Sequence, residues 1–397
     1  MKVLALTHRT PFPPDKGDKI RTHHLLTRLA ARAEVHLCAF AEPPSDVAHA
    51  SRLARSFASV TLLPLDLRWQ KARALPWALT ATPLTLPVFR RGAMFDAVAR
   101  VVGAVRPDVI VAESTSMAPY ALAHGAVPLV MDFVDADSVK WRSYAEKAAP
   151  LQRAVFLREA FTLARYERRV ATHARVSLVT AERERVLLQA IAPGCDIRAL
   201  PNGVDVAHFT AREAAPAEPS AVFFGAMDYH ANEEAAVMLV REVLPRLRRR
   251  HPGFRVTLAG ANPTAAVKAL AAEPGVTVTG YVEDIRPHVQ GASVCVIPLR
   301  VARGVQNKVL EAMAMGVPVV ASPGAAEGIE ATPGEALLVA RVDDGGAAVA
   351  DAVGALIDDP ARMASVAAAA RRVVELRYGW EPRAEELRAI CAEAARR

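Results

Sequence analysis

The sequence predicts an α/β protein made of two doubly wound domains, each a parallel sheet covered by helices on both faces. Three observations carry that expectation. The chain has 397 residues, more than one hydrophobic core organises, since domains usually run to roughly 100–200 residues. Short apolar runs alternate with longer helical patterns from end to end, the signature of βαβ units. The alternation stops at a turn- and proline-bearing stretch, residues 200–220, and then begins again.

In the first half the strand candidates are 3–7, 35–40, 60–63, 109–112, 129–133 and 176–180. Helices lie between them, including 17–32 and the long stretch 151–173. In the second half the candidates are 221–225, 255–260, 276–280, 293–298 and 317–322. These runs are almost continuously apolar, as strands covered on both faces must be. The boundary falls where Pro201-Asn202-Gly203 signals a turn and residues 212–219 become polar and proline-bearing. Ligands of such sheets bind outside the carboxyl ends of the strands, so the expected site is a cleft that the two domains face.

Composition narrows the class. Hydrophobic residues are 52% and charged residues 23% of the chain, the balance of a folded protein rather than a disordered one. Cys38, Cys195, Cys295 and Cys391 are far apart and read as isolated thiols, neither a disulfide frame nor a zinc site. No cluster of acidic ligands suits a divalent cation, so no metal is expected. The longest uncharged apolar stretch, 77–89, is broken by Pro83 and Pro87 and falls short of the ~20 residues of a spanning helix. Residues 1–7 run straight into His8 and Arg9, a first strand rather than a signal peptide, and the cytoplasm is the expected location.

The net charge of +7 is uneven: residues 1–200 hold 28 Lys/Arg against 18 Asp/Glu, and residues 201–397 hold 21 against 24. Without a helix-turn-helix or a basic-aromatic RNA motif, nucleic acid is not the expected partner. An anionic membrane surface, a phosphate-bearing acceptor or plain solvation each accounts for the basic half. Residues 67–77 join Arg68, Lys71 and Arg73 to Trp69 and Trp77, which suits either an interfacial helix or a helix packing its tryptophans inward.

The chemistry concentrates in Arg303-Gly304-Val305-Gln306-Asn307-Lys308, followed by LEAMAMGVPVVAS over residues 310–322. An apolar strand ends at Pro298, a glycine-bearing loop follows, and a helix starts near Gln306. Free N–H groups and the dipole at a helix start favour an anion. Lys308 lies in the first turn, and Glu311, three residues on, shares its face. That carboxylate can accept two hydroxyl hydrogen bonds, as from a ribose. Taken alone, an ordinary surface Lys–Glu pair fits the spacing as well.

The run 310–322 closely resembles the signature of the retaining glycosyltransferase family four. Leu200-Pro201-Asn202-Gly203-Val204-Asp205 with Phe209 is similar to that family's interdomain linker, and Phe223-Phe224-Gly225 to its first donor-domain strand. Thr279-Gly280-Tyr281-Val282 is similar to a later strand and turn. Tyr378-Gly379-Trp380 looks like the point where the last helix crosses back. The resemblance implies a GT-B fold of two Rossmann-like domains: an acceptor domain over 1–200, with helix 380–397 packed on it, and a nucleotide-sugar domain over 201–379. Gly225–Tyr229, 132–138 and 303–308 further resemble the sugar transferases of exosortase (PEP-CTERM) clusters, which implies exopolysaccharide assembly.

The departures from the family pattern are specific. Where many members carry a Glu eight residues before the helix Glu, this chain has Arg303. Where many carry an Arg and a Lys after the first donor-domain strand, residues 226–233 have neither. Arg303 and Lys308, with Arg300, are then expected to supply the positive charge. The loop after the first strand keeps one glycine, Gly17, beside Lys16, Lys19 and Arg21, which assist there or are solvated. The family's His near the fifth strand has no counterpart; Asp132 and Asp135 stand at that strand end, with Asp137 an alternative helix cap, and Glu113 ends the preceding strand.

The resulting expectation is a retaining transfer of a sugar from a nucleotide-diphospho-sugar to a saccharide or lipid-linked acceptor, with peripheral contact to an anionic membrane. Lys308, Arg303 and Asp135 are the catalytic candidates. Gly17, Gly225, Gly304, Val305, Gln306, Asn307 and Glu311 are the donor-binding ones, and Asp132 and Glu113 contact acceptor or sugar. A nucleotide-sugar epimerase or a non-catalytic sugar-nucleotide-binding protein of the same architecture is the alternative.

Overall fold

The computed structural model describes residues 1–14, 17–74, 76–77, 80–146, 148–302 and 305–396, with the backbone alone for Arg68, Lys71 and Ala72. The chain folds as two compact units, Met1–Pro201 together with Trp380–Arg397, and Asn202–Gly379.

The first unit contains strands β1 (Lys2–Thr7), β2 (Glu34–Ala41), β3 (Ser59–Pro64), β4 (Val109–Glu113), β5 (Leu129–Val134), β6 (Val176–Val179) and β7 (Ile197–Ala199). They form one parallel sheet in the order β3-β2-β1-β4-β5-β6-β7. Each face carries its own core. On one, Leu4, Leu6, Phe40, Ile110 and Met131 pack beneath Met94, Val98 and Tyr120 of the crossover helices. On the other, Val3, Ala5, Leu37 and Val111 pack against Leu25, Leu29 and the last helix, Trp380–Arg396. That helix lies along Gly17–Ala30, where Trp380 stacks on His24 with ring centroids 5.0 Å apart. Arg198 binds Glu393 at 2.7 Å.

The second unit contains β8 (Ser220–Phe224), β9 (Arg255–Ala259), β10 (Val276–Val278), β11 (Val294–Ile297), β12 (Val319–Ala321) and β13 (Leu338–Val339). Their order is β10-β9-β8-β11-β12-β13, again with parallel pairings. One continuous core runs from Phe223 and Leu239 to Met313 and Val374.

Two strands, β7 and β13, have no counterpart in the sequence reading: at three and two residues they are too short to show a period. The strands expected to reach 180, 225, 260 and 280 stop one or two residues earlier. Gly225 and Gly260 leave the β region there, both with φ +148, a backbone that favours glycine. No described helix is long and apolar enough to cross a membrane.

Candidate functional site

Strand order decides where each unit can hold a ligand. In both sheets the chain reverses its direction of winding between two central strands, and the crevice outside their carboxyl ends is the binding position of such folds. That point lies between β8 and β11 in the second unit and between β1 and β4 in the first. Two side chains from opposite sides meet at each.

In the second unit the loop after β8 is pinned by backbone contacts. Gly225 donates to the Ala259 carbonyl at 3.0 Å, and Met227 to that of Ala261 at 2.8 Å. Gly225 and Gly260 come so close that a Cβ on Gly260 would lie 1.8 Å from the Gly225 oxygen. The helix from His230 follows, and Asn232 in its first turn is 6% exposed. Its amide donates to the Ala226 carbonyl at 2.8 Å, which leaves the amide oxygen facing the switch point.

Lys308 fills that position. It belongs to the helix Asn307–Ala314, which starts after Gln306. Its Nζ donates to Asn232 Oδ1 at 2.6 Å and lies 4.9 Å from the centre of the Phe223 ring. The charge absent from residues 226–233 therefore reaches that stretch from the other side of the sheet's midline. Burial lowers the Lys308 ammonium to about 8. Glu311 sits one turn on; burial raises its carboxyl to about 7, so it is not the freely solvated group a cleft-facing surface pair would be. A lone anion or cation is disfavoured there, and a ligand bringing phosphates to Lys308 and hydroxyls to Glu311 suits both. Asn307 Oδ1 is buried with no hydrogen-bond partner among the described residues. Gln306 and Val305 are half-buried at the helix start; Arg303 and Gly304 lie outside the described residues.

In the first unit, register sets Thr7 opposite Glu113, so His8, one residue on, meets the Glu113 carboxylate. His8 Nδ1 is 2.6 Å from Glu113 Oε2, and its Nε2 is 3.1 Å from Asp18 Oδ2. Burial alone would lower the imidazole, but the two carboxylates outweigh it and raise it to about 10. Asp18 also accepts from Arg9 at 2.5 Å, and Arg9 binds Glu42 at 2.9 Å. Although burial pushes the Asp18 carboxyl up, His8 and Arg9 hold it far below the usual carboxylate range. Glu113 is 3% exposed, and its second oxygen has no partner among the described residues.

Ser114, just past Glu113, and Val134, at the end of β5, have φ of 71 and 67, a left-handed backbone that is strained for the β-branched Val134. Asp132 Oδ1 accepts from the Val134 N–H at 3.1 Å, where the pairing of β5 with β6 shifts register. Asp132 Oδ2 is bound by Arg21 at 2.8 Å. Arg21 is fully buried and also donates to the Leu200 carbonyl. Asp132 is thus committed to a buried ion pair. Asp135 accepts from the Thr180 hydroxyl at 2.9 Å.

Three expectations are corrected here. Lys19 is neither solvated nor a phosphate ligand: it is 2% exposed and bound to Asp46 at 3.0 Å. Arg21 is a core group. Asp137 opens the helix Asp137–Glu146 without capping it; Glu184 accepts from the Ala136 N–H and Glu167 from that of Ser138. Gly17 opens its helix with nothing within 4 Å of a notional Cβ, and Lys16 lies outside the described residues. Among the described residues no group of three or more His, Cys, Asp or Glu is placed to hold a metal ion. His8 and Asn232 are the members that sequence reading missed. Their positions, one past a strand and one in a first turn, were the available signal.

Residues 218–359 match the family model described as Glycosyl transferases group 1. A GDP-mannose-dependent alpha-(1-6)-phosphatidylinositol monomannoside mannosyltransferase of Mycobacterium tuberculosis is 29% identical over 53% of this chain and 60% of its own. The match thus spans about three-fifths of the length of that curated relative. A sucrose-phosphate synthase from Thermosynechococcus elongatus superposes with a TM-score of 0.71 at 18% identity, covering 99% of both chains. Anabaena HepE in complex with UDP superposes with 0.68 at 16% identity, covering 99% of this chain and 100% of its own. The chain has the GT-B fold of two Rossmann-like units, and its second unit resembles the glycosyl transferases group 1 domain.

Proposed function

We propose that this protein is a retaining glycosyltransferase that moves a sugar from a nucleotide-diphospho-sugar to a saccharide or lipid-linked acceptor, in the assembly of an extracellular polysaccharide. The observation that carries the reading is the Lys308 ammonium held by Asn232 at the switch point of the second unit. It lies within the segment that matches the group 1 model. HepE in complex with UDP-glucose, a neighbour by fold, and the mannosyltransferase named for a GDP-mannose donor support a nucleotide-diphosphate donor.

In this reading Glu311 accepts from the ribose hydroxyls. Lys308, with Arg303, faces the diphosphate, and Gly304 and the 305–307 helix start approach it with backbone N–H groups. Gly225, whose own N–H is taken by the Ala259 carbonyl, keeps the space beside Lys308 free of a side chain. The glycosidic C–O bond to the diphosphate breaks as the acceptor oxygen bonds to the same face of the sugar carbon, and the acceptor proton passes to the departing phosphate. Stabilising that developing negative charge with preformed donors is commonly the largest catalytic contribution. Of the first unit, Gly17 is a donor-binding residue, Asp135 a catalytic one and Glu113 a contact of acceptor or sugar, and Asp132 acts through the buried pair that fixes the β5 end.

Incubation with a panel of nucleotide-sugars and a membrane extract as acceptor tests the reading. Transfer of sugar, or slow hydrolysis of one donor, is the expected result. An isomerised donor would instead identify an epimerase, and binding without turnover a sensor or scaffold.

A further inference from the structure

The first unit contains a groove of about 740 Å3 on the flank of its sheet. It is bordered by the helices Thr85–Phe89, Gly92–Val105, Ala118–Leu122 and Pro150–His173. Its wall is apolar, with Leu86, Phe95, Leu122 and the ring of Tyr166. Arg90, Arg165 and Arg169 stand at its rim, all three exposed. Among the described residues none of the three has a carboxylate partner, whereas Arg9, Arg158 and Arg198 of the same unit are each bound to one.

Among the described residues the buried Tyr166 hydroxyl has no hydrogen-bond partner, and Arg169 and Arg90 line the same groove. A buried phenol without an acceptor is costly unless a ligand supplies one. Two guanidinium groups and a hydroxyl donor beside an apolar wall suit a phosphate oxygen joined to a hydrocarbon.

The surface around the groove indicates where such a ligand comes from. Trp77 lines the groove and is 41% exposed, and Trp69 is 64% exposed, so the tryptophans of the 67–77 segment point outward. On the helix Pro150–His173, Leu151, Val155 and Phe161 are also exposed, and Arg165 packs over the Phe161 ring. Exposed tryptophans and aliphatic side chains interleaved with arginines form the surface of a protein resting on a lipid interface.

We propose that this groove takes the phosphate and the adjoining hydrocarbon of a membrane-borne anionic lipid, with Arg90, Arg169 and the Tyr166 hydroxyl on the phosphate. Resting on the glycosyltransferase reading above, the lipid is the anchor of the acceptor. The saccharide it carries is then presented at the edge that holds Glu113 and Asp135, because the helices Gly92–Val105 and Ala118–Leu122 begin at that same carboxyl edge of the sheet.

Farnesyl phosphate is the probe, titrated into the full chain and compared with farnesol and with inorganic phosphate. Farnesyl phosphate is expected to bind saturably and at least tenfold more tightly than either. The double variant Arg90→Ala, Arg169→Ala is expected to lose about tenfold or more, and Tyr166→Phe severalfold, on the scale of charged hydrogen bonds. Tyr166→Phe keeps the ring, so a fold defect does not confuse the result. Both variants are expected to keep their affinity for nucleoside diphosphate, which the second unit binds.

Equal binding of farnesol would reduce the groove to apolar adhesion, and equal binding of phosphate would make it a free-anion site. Unchanged affinity in both variants would place the lipid elsewhere. Each of these outcomes overturns the proposal. Failure of farnesyl phosphate alongside normal donor turnover sinks this inference alone, whereas absence of any donor binding or turnover sinks the glycosyltransferase reading.

Discussion

The Lys308 ammonium donates to the Asn232 side-chain oxygen at 2.6 Å, joining the helix that follows β11 to the helix that follows β8 across the switch point of the second sheet. Asn232 is itself fixed by the Ala226 carbonyl, so the cation is preorganised beside the glycine loop. Lys308→Ala is expected to lower donor turnover by about a hundredfold, the scale for losing one preformed transition-state donor. Affinity for nucleoside monophosphate falls much less, because that ligand lacks the leaving phosphate. Turnover equal to wild type would place the diphosphate clamp elsewhere.

The same residue predicts a pH dependence. Burial lowers Lys308 to about 8, and only its protonated form attracts a diphosphate. Nucleoside diphosphate affinity is therefore expected to fall as pH rises past about 8, with proton uptake on binding in that range. Calorimetric titrations in buffers of different ionisation enthalpy measure both. An affinity constant to pH 9.5 would contradict the assignment.

Gly260 and Gly17 separate two uses of glycine. Gly260 has φ +148, and an added Cβ would strike the Gly225 oxygen. Gly260→Ala is expected to cost at least about 1–3 kcal/mol and to weaken nucleotide binding by displacing the loop. Gly17 meets nothing within 4 Å and starts a helix, so Gly17→Ala is expected to be stability-neutral or better. If turnover nevertheless falls in Gly17→Ala, the glycine serves a ligand. Denaturant midpoints and donor turnover of the two variants decide it.

Asp132 and Asp135 are expected to differ in kind. Asp132→Ala leaves Arg21, fully buried, without its carboxylate. Breaking such a pair from one side costs about 3–5 kcal/mol. Asp135→Asn retains an acceptor for Thr180 and is expected to cost less than about 1 kcal/mol while lowering turnover. Urea unfolding compared with turnover separates them. Equal losses of stability would remove Asp135 from the site.

His8 links the first unit's stability to alkaline pH. Its imidazole is raised from 6.5 to about 10, so its contribution is complete below pH 6.5 and is lost as pH rises through about 10. The stability gap between wild type and His8→Gln is expected to narrow across that window. A gap unchanged from pH 6 to pH 10 would mean that His8 is held as the neutral ring.

The apolar runs that became β1 to β6 and β8 to β12, the turn near residue 201 and the helix starting after Gln306 were all legible in the sequence, because they rest on local periodicity and on turn and helix-start chemistry. Spacing alone also put Glu311 one turn from Lys308. It could not say that Lys308 meets Asn232, 76 residues away, or that His8 meets Glu113, 105 residues away. Those pairs exist because strand order sets β8 beside β11 and β1 beside β4, and strand order is a property of the whole sheet. Burial was likewise undetermined: Lys19 and Arg21 look like surface cations on a helix, and Asp46 and Asp132 draw them into the core. A sequence fixes which side chains share a turn, and only the assembled sheet decides which charges from distant turns must share a low-dielectric site.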